Sequence, residues 1–87
     1  MNFKDDLIEC FQVAKIKQLK FVAVKIQMDG FPADEVIINE FDNFDSKLEY
    51  YQNTYDEELN HKFAKGISII DFVYANSFAD IEMLLMG

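Results

Sequence analysis

The chain predicts an α+β domain: a three-stranded, mostly antiparallel sheet packed with helices, in the order α-β-β-α-α-β-α. Three observations lead there. Residues 21–28 and 67–74 alternate apolar side chains with the two-residue period of a strand, whereas 3–18 and 44–55 repeat them at helical spacing. Glycine and proline are few and fall between these segments, at Gly30, Pro32 and Gly66. Hydrophobic residues make up 51% of the chain and occur in every segment, so an acidic disordered chain is excluded. Eighty-seven residues form a single domain, 1–87, with room for one modest core.

The first helix is expected over 3–18. Phe3, Leu7, Phe11 and Ala14 form its stripe, Ile8 and Cys10 widen it, and Asn2 is placed to cap it. Its acids come early (Asp5, Asp6, Glu9) and lysines follow late (Lys15, Lys17, Lys20), the polarity a helix dipole favours. In the strand FVAVKIQM, Val22, Val24, Ile26 and Met28 alternate with Phe21, Ala23, Lys25 and Gln27. Asp29-Gly30-Phe31-Pro32 turns the chain, and the β-branched run Val36-Ile37-Ile38 makes 35–39 the second arm of a hairpin.

Asn43 or Asp42 can cap a helix carrying Phe44, Leu48, Tyr51 and Tyr55. Thr54 and Glu57 then match a capping box, which predicts a bend near Asn53 and a second short helix to about Phe63, stopped by Gly66. In the third strand, Ile67, Ile69, Asp71 and Val73 share one face and Ser68, Ile70, Phe72 and Tyr74 the other. Asp71 in so apolar a run implies an edge position, a strand end or a hydrogen-bonded role. Ser77, with Asp80 three residues on, caps a last helix whose buried stripe is Phe78, Ile81, Leu84 and Leu85.

Charge is distributed unevenly. Asp29 to Glu58 holds ten of the sixteen acids, six of the thirteen aromatics and one lysine, a local charge of about −9 in a chain of −8. Such a block describes a surface and hence a choice of partners. Eight lysines and no arginine, together with the acidic excess, argue against direct nucleic-acid binding. No uncharged apolar run approaches the roughly 18 residues that cross a membrane, and residues 1–6 show no signal-peptide pattern, so a cytoplasmic protein is expected.

The phrases GFPADEVIIN, NFDSKLEYYQNTYDEELNHKF and GISIIDFVYANSFADIE resemble short, uncharacterised proteins carried by phages and prophages of low-GC Gram-positive bacteria. The likeness extends over residues 21–82, with landmarks at Gly30-Phe31-Pro32, Tyr50-Tyr51 and Asp80-Ile81-Glu82. It implies a mobile-element accessory protein and supplies no catalytic signature.

Chemistry finds few candidates. The one histidine, His61, has no glycine-rich nucleophile elbow to serve, and it reads as a packing or capping residue. Cys10 alone forms no disulfide and reads as a small semi-buried residue. One His and one Cys make no zinc site, and Asp42, Asp45 and Glu49 lack the ligand spacing of an EF-hand. Nothing cradles a phosphate. No catalytic residue, metal site or cofactor is therefore expected.

Recognition by surface remains. Adjacent Tyr50 and Tyr51 point about 100° apart on a helix, so both cannot face the core. These rings either roof the sheet or belong to an interface. The interface reading takes Phe31, Phe41 and Tyr50, ringed by Asp34, Glu35, Glu40 and Glu49. The leading functional reading is a non-catalytic module that binds another protein or itself as a homodimer. A rival is a nucleic-acid-mimicking decoy, with Asp45, Glu49, Asp56 and Glu57 imitating phosphates. A small ion-binding protein or enzyme is a further alternative.

Overall fold

The structure, a computed structural model, describes residues 3–86. It is an α+β fold in which helices flank one antiparallel sheet of strand order β2-β1-β3. The elements are α1 (Phe3–Ile16), β1 (Phe21–Met28), β2 (Glu35–Glu40), α2 (Phe44–Thr54), β3 (Ile67–Ala75) and α3 (Phe78–Ile81). A 3-10 turn, Phe41–Asn43, leads into α2, and α3 widens into a π-helical turn over Glu82–Met86.

α1 buries Leu7, Cys10, Phe11 and Ala14, while Phe3 of the expected stripe stays exposed. The proposed cap Asn2 lies outside the described residues. The helix ends two residues early because Gln18 takes a left-handed φ of 56°. Leu19 N–H then donates to Ala14 O and Gln18 N–H to Lys15 O, the paired bonds of a Schellman ending.

β1 is the central strand. Val22, Val24 and Ile26 face α1 and α2, and Ala23 lies under the C-terminal helical segment on the opposite side. It pairs with β2 through the expected hairpin, Val24 opposite Ile37. On its other edge Val24 opposes Phe72, but the register shifts between Lys25 and Ile26, which oppose Asp71 and Ile69. Ile70 is thus an extra residue, a β-bulge. It places Ile67, Ile69 and Phe72 on the same face, against the strict alternation expected from sequence.

Two further expectations are corrected. Asn43 occupies the N-cap position of α2 without a side-chain bond to the helix; the preceding 3-10 turn provides the entry instead, with Phe44 N–H bonded to Phe41 O. The second helix over 54–63 is absent. Tyr55 is extended, and Asp56 Oδ1 accepts both Glu58 N–H and Asn60 N–H at 2.9 Å, a local alternative to helix that Asp side chains readily offer. Leu59 takes a left-handed φ of 64° and inserts its side chain into the core. Residues 59–61 then lie along β3, with Ile69 N–H bonded to Leu59 O and His61 N–H to Ile67 O, each at 2.9 Å. Core burial and edge pairing outweigh the capping-box signal.

The main core lies between the sheet and α1, α2 and this loop. Phe11 meets Phe44 edge-on at 5.6 Å and Tyr51 at 6.0 Å. Asn39 is a buried polar side chain within it: Nδ2 donates to Val22 O at 3.1 Å and lies 3.3 Å from Tyr51 Oη. That pairing removes the cost of an unsatisfied buried amide. Lys4 Nζ closes the C-terminal end of α2, donating to Gln52 O and Tyr55 O.

Among the described residues, the second face of the sheet is covered by α3 and its continuation. Ser77 caps α3 as expected, accepting Asp80 N–H at 3.1 Å. Ile81 and Leu85 are buried with Ala23 and Ala75, but Phe78 and Leu84 of the expected stripe are exposed. A segment this short presents one narrow stripe, and its remaining apolar side chains reach solvent.

Candidate interaction surface

The seven residues singled out from sequence fall into two groups. Phe31, Asp34 and Glu35 surround the hairpin tip, where Gly30 supplies a φ of 85° and Phe31 N–H closes the turn on Met28 O. Glu40 lies at the opposite end of β2, Phe41 in the 3-10 turn that follows, and Glu49 and Tyr50 on α2. Five steps of about 3.3 Å along the strand put Glu35 and Glu40 roughly 17 Å apart. All seven side chains are exposed. Phe41 packs on Phe44 at 5.3 Å and Tyr50 on Tyr51 at 5.4 Å, so these rings border the main core. The buried aromatics Phe44, Tyr51 and Tyr55 roof the sheet.

The acidic block is similarly divided. Asp45 pairs with Lys15 at 2.8 Å, and the Asp56 carboxylate is engaged in its own loop. Because α2 ends at Thr54, Asp56 and Glu57 do not continue a helical row from Asp45 and Glu49.

Groups with chemical potential are held in packing roles. Burial pushes the Cys10 thiol up to about 12, far from a nucleophilic thiolate at neutral pH. His61 Nδ1 accepts Phe63 N–H at 3.1 Å, and its ring lies against Tyr55 and Phe63. Burial also raises the Tyr51 and Tyr55 phenols, the latter to about 12. Among the described residues, no cluster of three or more His, Cys, Asp or Glu side chains is arranged to hold a metal ion. None of their helices is long and apolar enough to cross a membrane.

The feature that sequence reading missed is on the second face. An open groove of about 530 Å³ runs between β2 and α3, floored by Val36, Ile38 and Ile81 and walled by Phe78, with Asp34 and Glu82 at its rim. Ile38 is 40% exposed and Phe78 63%. Phe78 is nevertheless braced, stacked on Phe21 at 4.9 Å with the rings 21° apart. By strand alternation Glu40 emerges on the same face as Val36 and Ile38. Lys25, also on this face, donates to Leu85 O at 3.0 Å and approaches Asp34 at 4.0 Å, so its charge is already engaged. Of the seven sequence candidates, Asp34 lines the groove and Glu40 shares its face. The signal was present in Val36-Ile37-Ile38: three consecutive apolar residues load both faces of a strand, yet only one short helix was left to cover the second.

Another groove, of about 370 Å³, lies along β3 between α1 and Leu84 of the C-terminal helical segment, with Cys10 in its wall and Asp6 and Glu9 at its rim. Compared with family profiles, characterised proteins and solved structures, the chain matches none.

Proposed function

We propose that this chain is a non-catalytic protein-binding module whose contact surface is the second face of the sheet, centred on Ile38 and Phe78. The observation that carries the reading is the incomplete cover of that face: an apolar groove, edged by carboxylates, with an aromatic wall held in place by stacking. A braced exposed ring in a concave apolar surface has the character of an interface anchor. The resemblance to phage and prophage proteins supplies the setting we propose, an accessory protein that works by holding another protein. Self-association is the weaker form of this reading, because two copies bring like charge to the same acidic surface.

The test is a photo-crosslinking amino acid placed at position 78, with position 63 as control, since Phe63 is even more exposed and lies outside the groove. The reading predicts a discrete adduct in the native cell from position 78 and none from position 63. No adduct from 78, or the same adducts from both, would overturn it.

A further inference from the structure

The two edges of the sheet differ in a way that names the form of the partner. In an antiparallel pair, residues alternate between bonding their neighbour and pointing their backbone groups away from it. Phe41 N–H bonds Lys20 O at 3.0 Å, one step beyond the Glu40–Phe21 pair, which fixes the parity of β2. Ile37 and Asn39 therefore bond β1, while Val36, Ile38 and Glu40 turn their N–H and C=O groups outward. Among the described residues, no backbone bond outside the regular elements reaches any of those three.

β3 is treated otherwise. The first half of its outer edge is taken by residues 59–61. Beyond the bulge, Asp71 Oδ1 accepts Phe72 N–H at 2.8 Å, so the side chain of the strand occupies its own edge donor. Free edges invite strand addition, and these two devices take up the β3 edge from Ile67 through the Phe72 N–H, leaving bare a short stretch around Tyr74 at its far end. β2 has neither.

Resting on the reading above, we propose that the occupant of the second face is an extended, lysine- or arginine-rich segment of another protein, which adds as a fourth strand alongside β2. Main-chain bonds to Val36, Ile38 and Glu40 hold it, and one apolar side chain enters the groove beside Phe78. Charge decides its composition. Asp34, Glu35, Glu40 and Glu82 surround the edge and the groove mouth, and Lys25 is already engaged. A basic segment gains most from Glu35, Glu40 and Glu82, since Asp34 already faces Lys25. A second copy brings a charge of −8 to a surface that is itself acidic, so this chain is a poor partner for itself.

The experiment uses two fluorescent peptides of identical composition, one alternating lysine with isoleucine or valine, the other with the same residues at helical spacing. Binding is read by anisotropy at low and moderate salt, and the site by amide shifts of the full chain. The alternating peptide should bind, shift the amides of Val36, Ile38 and Glu40, and weaken about tenfold or more in the double variant E40K/E82K. Phe78→Ala, at a side chain that carries little of the fold, should weaken it as well, while Phe63→Ser should not. Equal binding of both peptides, shifts elsewhere, or indifference to E40K/E82K would overturn the proposal. So would a dimer by light scattering in which those three amides are protected. An adduct from position 78 in the cell combined with no peptide binding would reject the basic strand alone. Absence of both would reject the surface itself.

Discussion

One face of this sheet is closed and the other is left open. On the closed face, α1, α2 and the 55–66 loop bury twelve core side chains, and even a buried amide, Asn39, finds its partners there. On the open face a nine-residue helical segment buries Ala23, Ala75, Ile81 and Leu85 and leaves Ile38 and Phe78 at the surface. The edges repeat the contrast, β3 covered by its own loop and β2 bare. Burial is thus concentrated on one side of three strands, and the surface proposed for recognition lies on the other. A substitution should reveal which side it touches.

The widest separation is expected between two phenylalanines. Phe11→Ala, in the centre of the closed face, should cost about 3–5 kcal/mol in denaturant unfolding, because its cavity is lined by rings that cannot collapse into it. Phe78→Ala should cost within about 1 kcal/mol. Similar losses at both positions would mean that the second face is as much a core as the first.

Asp56→Ala tests the edge contrast. Loss of two charge-assisted bonds in the loop should cost about 1–2 kcal/mol and speed amide exchange at Ile69, whose N–H depends on Leu59 O. Unchanged exchange at Ile69 would show that the loop covers β3 without help from Asp56.

The same closed face dictates a response to alkali. Cys10 and Tyr55 ionise near their ordinary values of 9.0 and 10.0 in the unfolded chain and at about 12 in the fold, mainly because burial disfavours their charged forms. The stability they confer as neutral groups is fully present below pH 9 and is lost as pH rises toward 12. Cys10→Ala should move the onset of that loss from about pH 9 to about pH 10, followed by thermal melts across the range. An onset that stays put would take Cys10 out of the account.

The smallest effect belongs to neither face. Gln18 holds a left-handed φ that costs a side chain roughly 1–2 kcal/mol, so Gln18→Gly should stabilise by about 0.5–1 kcal/mol. Destabilisation would place the value of Gln18 in its side chain.

How far sequence reveals this molecule follows from the range of the forces involved. The α+β class, the hairpin and the Ser77 cap are written in local periodicity and turn chemistry and stand in the structure, whereas Asp71 offers an edge for β3 only as one of three readings. The helix after Thr54 fails because its capping box competes with contacts made outside its own segment: Leu59 in the core, and 59–61 paired with β3 six to ten residues on. The bulge at Ile70 leaves no mark in an alternating run, since only pairing with Lys25 and Ile26 defines it. The acid-and-aromatic block was legible as composition but not as a place. Strand length separates Glu35 from Glu40, and the groove draws Phe78, Ile81 and Glu82 from the far end of the chain. A site assembled across forty residues is invisible to spacing.

The central claim is that the β2 edge is open along its length while the β3 edge is taken up from Ile67 to Phe72. Amide hydrogen exchange of the free protein, resolved by residue, tests it most directly. Ile37, Asn39 and Ile69 should be protected, and Val36, Ile38 and Glu40 should exchange close to the rate of an unstructured chain. Protection of all five consecutive β2 amides from Val36 to Glu40 would contradict the account, because something would already lie along that edge.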